Sequence, residues 1–432
     1  MQKIEKLANG LTLLRVPMAG VESVTSVVMV GAGSRYEQSE DWGVAHFLEH
    51  MVFKGTKKYP NNKILSETVD GVGAVFNAFT SEEMTAFYLR SAASDLDLML
   101  DVLSQLTTQA LIETEEINRE RGVILEEKHM YEDVPSSFNA QEFNKMVYAG
   151  SGLGHDIVGT QKSITNITRK NFLRFINEWY RPENMLIVVA GKASKVNDKN
   201  LSKKIERLWQ FGKFSGKVGE QKKQWEKEFK YGKKLNFIDR DTEQSHFVLA
   251  WPALNRFDER DQVLSVLQTI LGGNMSSRLF SEVRERRGLC YYVHSTSEAF
   301  CDCGSFGAAA GINPDKLEEA VKVTVNEFIQ IAEQKKPITA TELNKAKNYL
   351  VGQLTLGAES VFNLALNYGM QYLFEQRIRT VSEQMARIKA VTLDQVHELA
   401  KEIIVPGQLR FGAIGKISDK QKNTIEKLVL GK

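Results

Sequence analysis

Parts of this chain repeat at a nearly constant spacing, and a duplicated sequence demands a fold that is itself built twice. Thr168, Phe172, Phe175, Pro182, Gly191 and Lys192 recur 224 positions later as Thr392, Val396, Leu399, Pro406, Gly415 and Lys416. Both copies read as an amphipathic helix, a proline stop, an apolar strand and a Gly-Lys turn. The strands are Met185-Leu186-Ile187-Val188-Val189-Ala190 and Leu409-Arg410-Phe411-Gly412-Ala413-Ile414. A second match has a spacing of 226 and opens another helix: Ile112, Glu116, Ile117 and Asn118 against Ile338, Glu342, Leu343 and Asn344. One match could be coincidence between similar helices; two at almost one spacing favour duplication.

At 432 residues the chain is too long for one ordinary core, whereas halves of about 210 residues suit one core each. We place a first domain at 1–212, a Lys-rich connector at 213–234 and a homologous second domain at 235–432. The connector should be largely solvated, although Trp225 and Phe229 suggest that part of it packs. Strand and helix signals alternate in both halves. Val24–Val30, Met84–Arg90 and Ser245–Trp251 read as strands, and Ser94–Ala110 carries apolar residues at helical spacing. The expected class is α+β, a sheet covered by helices, made twice.

Composition excludes more than it assigns. A net charge of +2 gives no electrostatic case for nucleic acid. No apolar run approaches the ~18 residues of a membrane span. The start, Met1-Gln2-Lys3-Ile4-Glu5-Lys6-Leu7, lacks an apolar signal core, and three cysteines are too few for a disulfide scaffold. A cytoplasmic, thiol-reduced protein is expected.

The chemistry is concentrated in His46-Phe47-Leu48-Glu49-His50. On a helix, histidines four apart share one face and can grip one zinc ion through neutral imidazoles. Glu49 stands close enough to that face to reach a water in an open coordination position. This is the H-x-x-E-H order of the inverzincins, although a surface helix can carry two histidines without a metal. A catalytic zinc usually takes a third protein ligand. The acid-rich helical stretch Thr114–Met130 offers Glu120 and Glu127, seven apart and about 20° apart around the axis, with Glu126 turned away. Most helix glutamates are merely solvated. We assign Glu127 to the metal and Glu120 to the other N–H of a ligand imidazole.

His46 to Thr56 (HFLEHMVFKGT), followed by Glu120 to Glu127 (ERGVILEE), resembles the pitrilysin family of zinc peptidases, which includes insulin-degrading enzyme and the mitochondrial processing peptidase. The likeness extends through Gly33-Ser34-Arg35, Asn77-Ala78-Phe79-Thr80 and Arg284 to Tyr291, and the length resembles the short, roughly 50-kDa bacterial members. The resemblance implies a duplicated α/β roll of the processing-peptidase type. It also implies zinc on His46, His50 and Glu127, with Glu49 as general base and Glu120 as supporting carboxylate. Arg284 and Tyr291 match the family's pair that contacts substrate and oxyanion; Tyr292 competes with Tyr291, and strand alternation admits only one. Asn77, Ala78 and Phe79 would lie on an edge strand that pairs with the substrate backbone. The second half should have the fold without a metal, since Glu120 and Glu127 correspond to Ala346 and Gln353.

The expected activity is a zinc endopeptidase acting on peptides or unfolded polypeptides in an enclosed chamber. Family members enclose substrate with four such domains, so a homodimer is expected in which Arg284 and Tyr291 complete the partner's site. The alternatives are a metal-free structural subunit of the same fold, or a processing peptidase that needs a distinct partner chain. The scattered histidines His129, His155, His246, His294 and His397, the strand-like Cys301-Asp302-Cys303 and the turn or helix start at Gly272-Gly273-Asn274 carry no functional assignment.

Overall fold

The structure, a computed structural model, describes residues 2–212, 214, 218–222, 225 and 229–431. Among the described residues eleven strands define two sheets: β1 (Lys3–Lys6), β2 (Thr12–Met18), β3 (Ser23–Val30), β4 (Val75–Thr80), β5 (Thr85–Ala92) and β6 (Met185–Lys192) in the first, and β7 (Leu235–Asp239), β8 (Ser245–Pro252), β9 (Cys290–Ala299), β10 (Gly304–Ile312) and β11 (Arg410–Gly415) in the second. The first sheet has the order β1-β2-β6-β3-β5-β4 and the second β7-β11-β8-β10-β9. Setting the short β1 aside, the orders coincide strand for strand. In each sheet one pair is parallel, β2 with β6 and β7 with β11, and the rest are antiparallel. The duplication read from the sequence is therefore a duplication of topology.

Five helices matter for the site: α1 (Val44–Met51), α2 (Thr114–Asp133), α3 (Pro135–Val147), α4 (Ala340–Ala358) and α5 (Val361–Glu375). One unit comprises Met1–Lys128, His155–Trp225 and Leu356–Thr380; the other comprises His129–Gly154, Glu226–Thr355 and Val381–Lys432. Each sheet thus takes a helix from the other half of the chain. In the first unit, α5 lies against β3 and β6, where Gly369 permits close approach: a Cβ there would stand 2.6 Å from Met29 Cε. Every residue from Val24 to Val30 is buried, so the sheet is covered on both faces at β3. In the second unit, α3 packs on β8 and β11, and Asn139 donates to the Gly412 carbonyl at 3.3 Å.

The repeated helices open alike. Asn171 Oδ1 accepts the Thr168 N–H at 3.0 Å, and Gln395 Oε1 accepts the Thr392 N–H at 2.9 Å. Such reciprocal caps contribute about 1 kcal/mol each. Of the connector assigned to 213–234, residues 213, 215–217, 223, 224 and 226–228 lie outside the described residues. Phe229 packs against Tyr148, tilted at 51°, and edge-to-face against Tyr231, with ring centroids 5.6 and 4.7 Å away. Cys301-Asp302-Cys303 is not strand but the turn joining β9 to β10; the β9 alternation runs up to it without marking the bend. Of the two readings of Gly272-Gly273-Asn274 the turn holds: Gly272 ends a helix, and the chain bends at Gly273 and Asn274. No helix among the described residues is long and apolar enough to cross a membrane.

Candidate metal centre

Helix α1 begins at Gly43, whose left-handed φ of 95° turns the chain into the helix. Val44, Ala45, Phe47, Leu48 and Met51 are buried, which anchors the helix in the core and fixes which way its polar residues face. The first N–H groups of a helix need acceptors. Here the Glu37 carboxylate takes two of them, from Gly43 and Ala45, both at 2.7 Å. Glu37 is wholly buried, and that burial pushes its carboxyl pKa up. His155 Nε2 lies 3.0 Å from Glu37 Oε2.

Helix α2 has few apolar residues, and its buried positions are Ile117, Glu120 and Ile124. With Glu127 they recur every three or four residues along one face. Glu126, on another face, is exposed.

His46, His50 and Glu127 come together, each offering a ligand atom within 4.8 Å of the others; among the described residues no other such group of three His, Cys, Asp or Glu is present. His46 Nε2 is 3.6 Å from Glu127 Oε1, and His50 Nε2 is 3.4 Å from Glu127 Oε2. Ligand atoms ~2.0–2.1 Å from a tetrahedral zinc stand about 3.4 Å apart, so the donor set and its spacing fit that ion. Bonds from His46 and His50 hold the Glu127 carboxyl well below the usual range. Burial pulls His50 down, but its bonds to Glu120 and Glu127 outweigh this and push the imidazole up to about 9.

Glu120 Oε1 is 2.9 Å from His50 Nδ1, leaving Nε2 turned to Glu127, and Lys54 pairs with the other Glu120 oxygen. Those two partners overcome burial and keep the Glu120 pKa low. Glu49 accepts from the Thr80 hydroxyl at 3.1 Å, and burial raises its pKa.

Thr80 ends β4, an edge strand of the first sheet. Asn77, Ala78 and Phe79 lie on that strand, paired on one side with Tyr88, Phe87 and Ala86. Phe76 packs on Phe53, just past α1, with ring centroids 5.4 Å apart. Arg284 and Tyr291 belong to the second unit. Arg284 closes a π-helical turn, Phe280–Glu285, and its guanidinium lies 4.7 Å from the Phe280 ring and 5.7 Å from the Tyr291 ring. Tyr291 is 74% exposed, whereas Tyr292 is half-buried with its hydroxyl 3.0 Å from His246 Nδ1.

Two residues beside the cluster escaped the sequence reading. Glu37 precedes any periodic segment and binds backbone N–H groups, which leave no mark in a sequence. His155 has no histidine or cysteine at ligand spacing and reads in the sequence as a lone histidine.

Family comparison gives two matches. Residues 18–161 match the model described as insulinase (peptidase family M16), and 166–350 match the peptidase M16 inactive domain. An uncharacterised zinc protease of Streptomyces coelicolor is 34% identical over 98% of this chain and 91% of its own. One of Bacillus subtilis is 32% identical over 91% of this chain and 94% of its own. A protease from Helicobacter pylori has the same fold, with a TM-score of 0.87 at 22% identity, over 96% of this chain and 99% of that one.

Proposed function

We propose that this chain, which belongs to peptidase family M16, is a zinc-dependent endopeptidase whose metal is held by His46, His50 and Glu127. The observation that carries this reading is the convergence of two imidazoles and one carboxylate at separations one tetrahedral ion spans. When bound, zinc supplies a water with its pKa lowered towards about 7 and polarises the scissile carbonyl. Glu49 takes a proton from the attacking water and passes it to the leaving nitrogen. Its raised pKa suits the half of the cycle in which it carries that proton. Glu120 holds Nδ1 of His50, fixing the tautomer that presents Nε2.

The substrate lies along the free edge of β4 as an added strand, beside Asn77, Ala78 and Phe79; backbone pairing tolerates many sequences. Arg284 and Tyr291 donate to the oxyanion. The half at 1–212 is then the catalytic one and 235–432 its metal-free homologue. The match described as inactive, residues 166–350, contains none of His46, Glu49, His50, Glu120 and Glu127. We also propose a homodimer in which Arg284 and Tyr291 serve the partner's centre. Mixing Glu49→Gln with Tyr291→Phe chains should restore activity; a dimer without restoration excludes it.

The deciding experiment is cleavage of a quenched peptide library by wild type and Glu49→Gln, with and without chelator, beside metal analysis. Wild type should cleave and hold one zinc, chelator should abolish cleavage, and Glu49→Gln should keep the zinc but lose about 10²–10⁴-fold in rate. Undiminished cleavage by Glu49→Gln, or a wild type without zinc, refutes the reading.

A further inference from the structure

The ligands sit on two helices distant in sequence, so their spacing depends on whatever holds α1 and α2 together. One segment, 155–167, touches both. Towards α1, His155 bonds the Glu37 carboxylate that caps the helix, and its ring stacks on Trp42 with centroids 4.6 Å apart and planes 7° from parallel. Ser163 donates to the Trp42 carbonyl at 2.7 Å. Gly43 and Gly159 meet backbone to backbone: a Cβ on Gly43 would stand 2.2 Å from the Val158 oxygen, and one on Gly159 would stand 2.2 Å from the Trp42 oxygen. Side chains larger than hydrogen would push the segment off the helix start.

Towards α2, Asp156 lies 3.6 Å from Lys128, the residue after Glu127. Arg121, the residue after Glu120, donates to the carbonyls of Ile164 and Ile167. Adjacent side chains, His155 and Asp156, therefore reach different helices.

Fold stability alone does not call for this arrangement. An enclosed carboxylate needs every available partner to offset desolvation, and an apolar residue would fill the same space without that cost. The corresponding helix of the second unit, Asp261–Gly272, starts with no enclosed carboxylate: Asp258, only partly buried, accepts the Arg260 N–H at 2.9 Å. The enclosed brace accompanies the helix that bears histidines.

We propose that residues 155–167 form a clamp that sets the spacing of the two ligand helices, with His155 and Asp156 as positioning residues for the metal. The inference rests on the assignment of zinc to His46, His50 and Glu127. Its test is zinc affinity, measured by competition with a chelator of known strength, on variants shown to be folded by circular dichroism. His155→Leu and Asp156→Asn should each weaken zinc by about tenfold, the low end of the effect of losing a direct partner of a ligand, because each acts on a ligand helix rather than on a ligand. His155→Gln, whose amide can still donate to Glu37, should recover most of the loss. Cobalt-loaded His155→Leu should show a shifted absorption band. Affinities of Asp156→Asn and His155→Leu within twofold of wild type, with superimposable cobalt spectra, overturn the clamp. Should His155→Leu not fold, Asp156→Asn decides alone. A wild type that binds no zinc, or a His46→Ala variant that binds it equally well, overturns the metal assignment instead.

Discussion

The two units of this protein share strand order, the single parallel pair and a borrowed helix, yet differ at the positions where chemistry would occur. Along α2 one face reads Ile117, Glu120, Ile124, Glu127; along α4 the matching face reads Leu343, Ala346, Leu350, Gln353. The apolar members, which pack, are kept in kind; the carboxylates are not. Helix α1 carries His46 and His50, whereas Asp261–Gly272 is lined with buried Val263, Leu264, Val266 and Leu267. A fold is held by its apolar pattern, and a site is a small set of polar residues grafted on it. The comparison adds that the graft includes supports: where α1 starts on the enclosed Glu37 and its partner His155, the second helix starts on a partly buried Asp258 paired with Arg260.

The harshest way to break the contrast is to give the first unit the second unit's residue. Glu127→Gln, mirroring Gln353, should weaken zinc by on the order of a thousandfold and abolish hydrolysis, because a neutral amide replaces the one anionic ligand. Gln353→Glu should leave zinc at one per chain, since the helix corresponding to α1, Asp261–Gly272, carries no histidine. A second zinc in that variant would show that the units differ less than their sequences imply. Glu120→Ala, mirroring Ala346, is milder: His50 loses the acceptor on Nδ1, and zinc affinity should fall about 10–100-fold. Equilibrium dialysis against a chelator reads both.

Why one part of this contrast was legible and another was not follows from the range of the signals. Gly191 and Gly415 announced the repeat because neither position admits a side chain: φ is 121° and 145°, and a Cβ would stand 2.3 Å from Ser23 O or Ser245 Oγ. The spacing of His46, Glu49 and His50 is equally local, a matter of one helical turn. The trade of α3 and α5 was not legible, because an apolar helix face does not say which sheet it covers. Glu37 and His155, 118 positions apart, were invisible for a similar reason: their side chains meet only in the tertiary fold, and Glu37 reaches α1 through backbone N–H groups. The turn at Cys301 was missed because its residues continue the composition of β9.

The pH dependence of zinc binding sharpens the contrast next. In the metal-free chain His50 titrates at about 9, raised by Glu120 and Glu127 against burial, and zinc must displace that proton. Affinity should therefore rise about tenfold per pH unit between roughly 7 and 9 and level off above. Calorimetry in buffers of differing ionisation heat should count about one proton released per zinc near neutrality. For the metal-free fold the sign is opposite. Charged His50 stabilises it fully below its unfolded pKa of 6.5, and this is lost as pH rises through about 9. Zinc affinity that stays flat from pH 7 to 9 would mean that His50 is already neutral.

The smallest expected effect concerns the Thr80 hydroxyl, which joins the edge strand to Glu49 by one 3.1 Å bond. A neutral hydrogen bond of this kind contributes about 1 kcal/mol, and bonds to charged groups up to about 3. Thr80→Val keeps the shape and removes the donor, so Glu49 gains rotamer freedom without losing its place on α1. The turnover number should fall several-fold, on the order of five to thirty, while KM and zinc content stay put. Thr80→Ser returns the hydroxyl and should recover the rate. If the hydroxyl only supported β4, Thr80→Val would raise KM for peptides bound along that strand and spare turnover. The split between the two constants therefore tells whether β4 merely receives substrate or also aims the base.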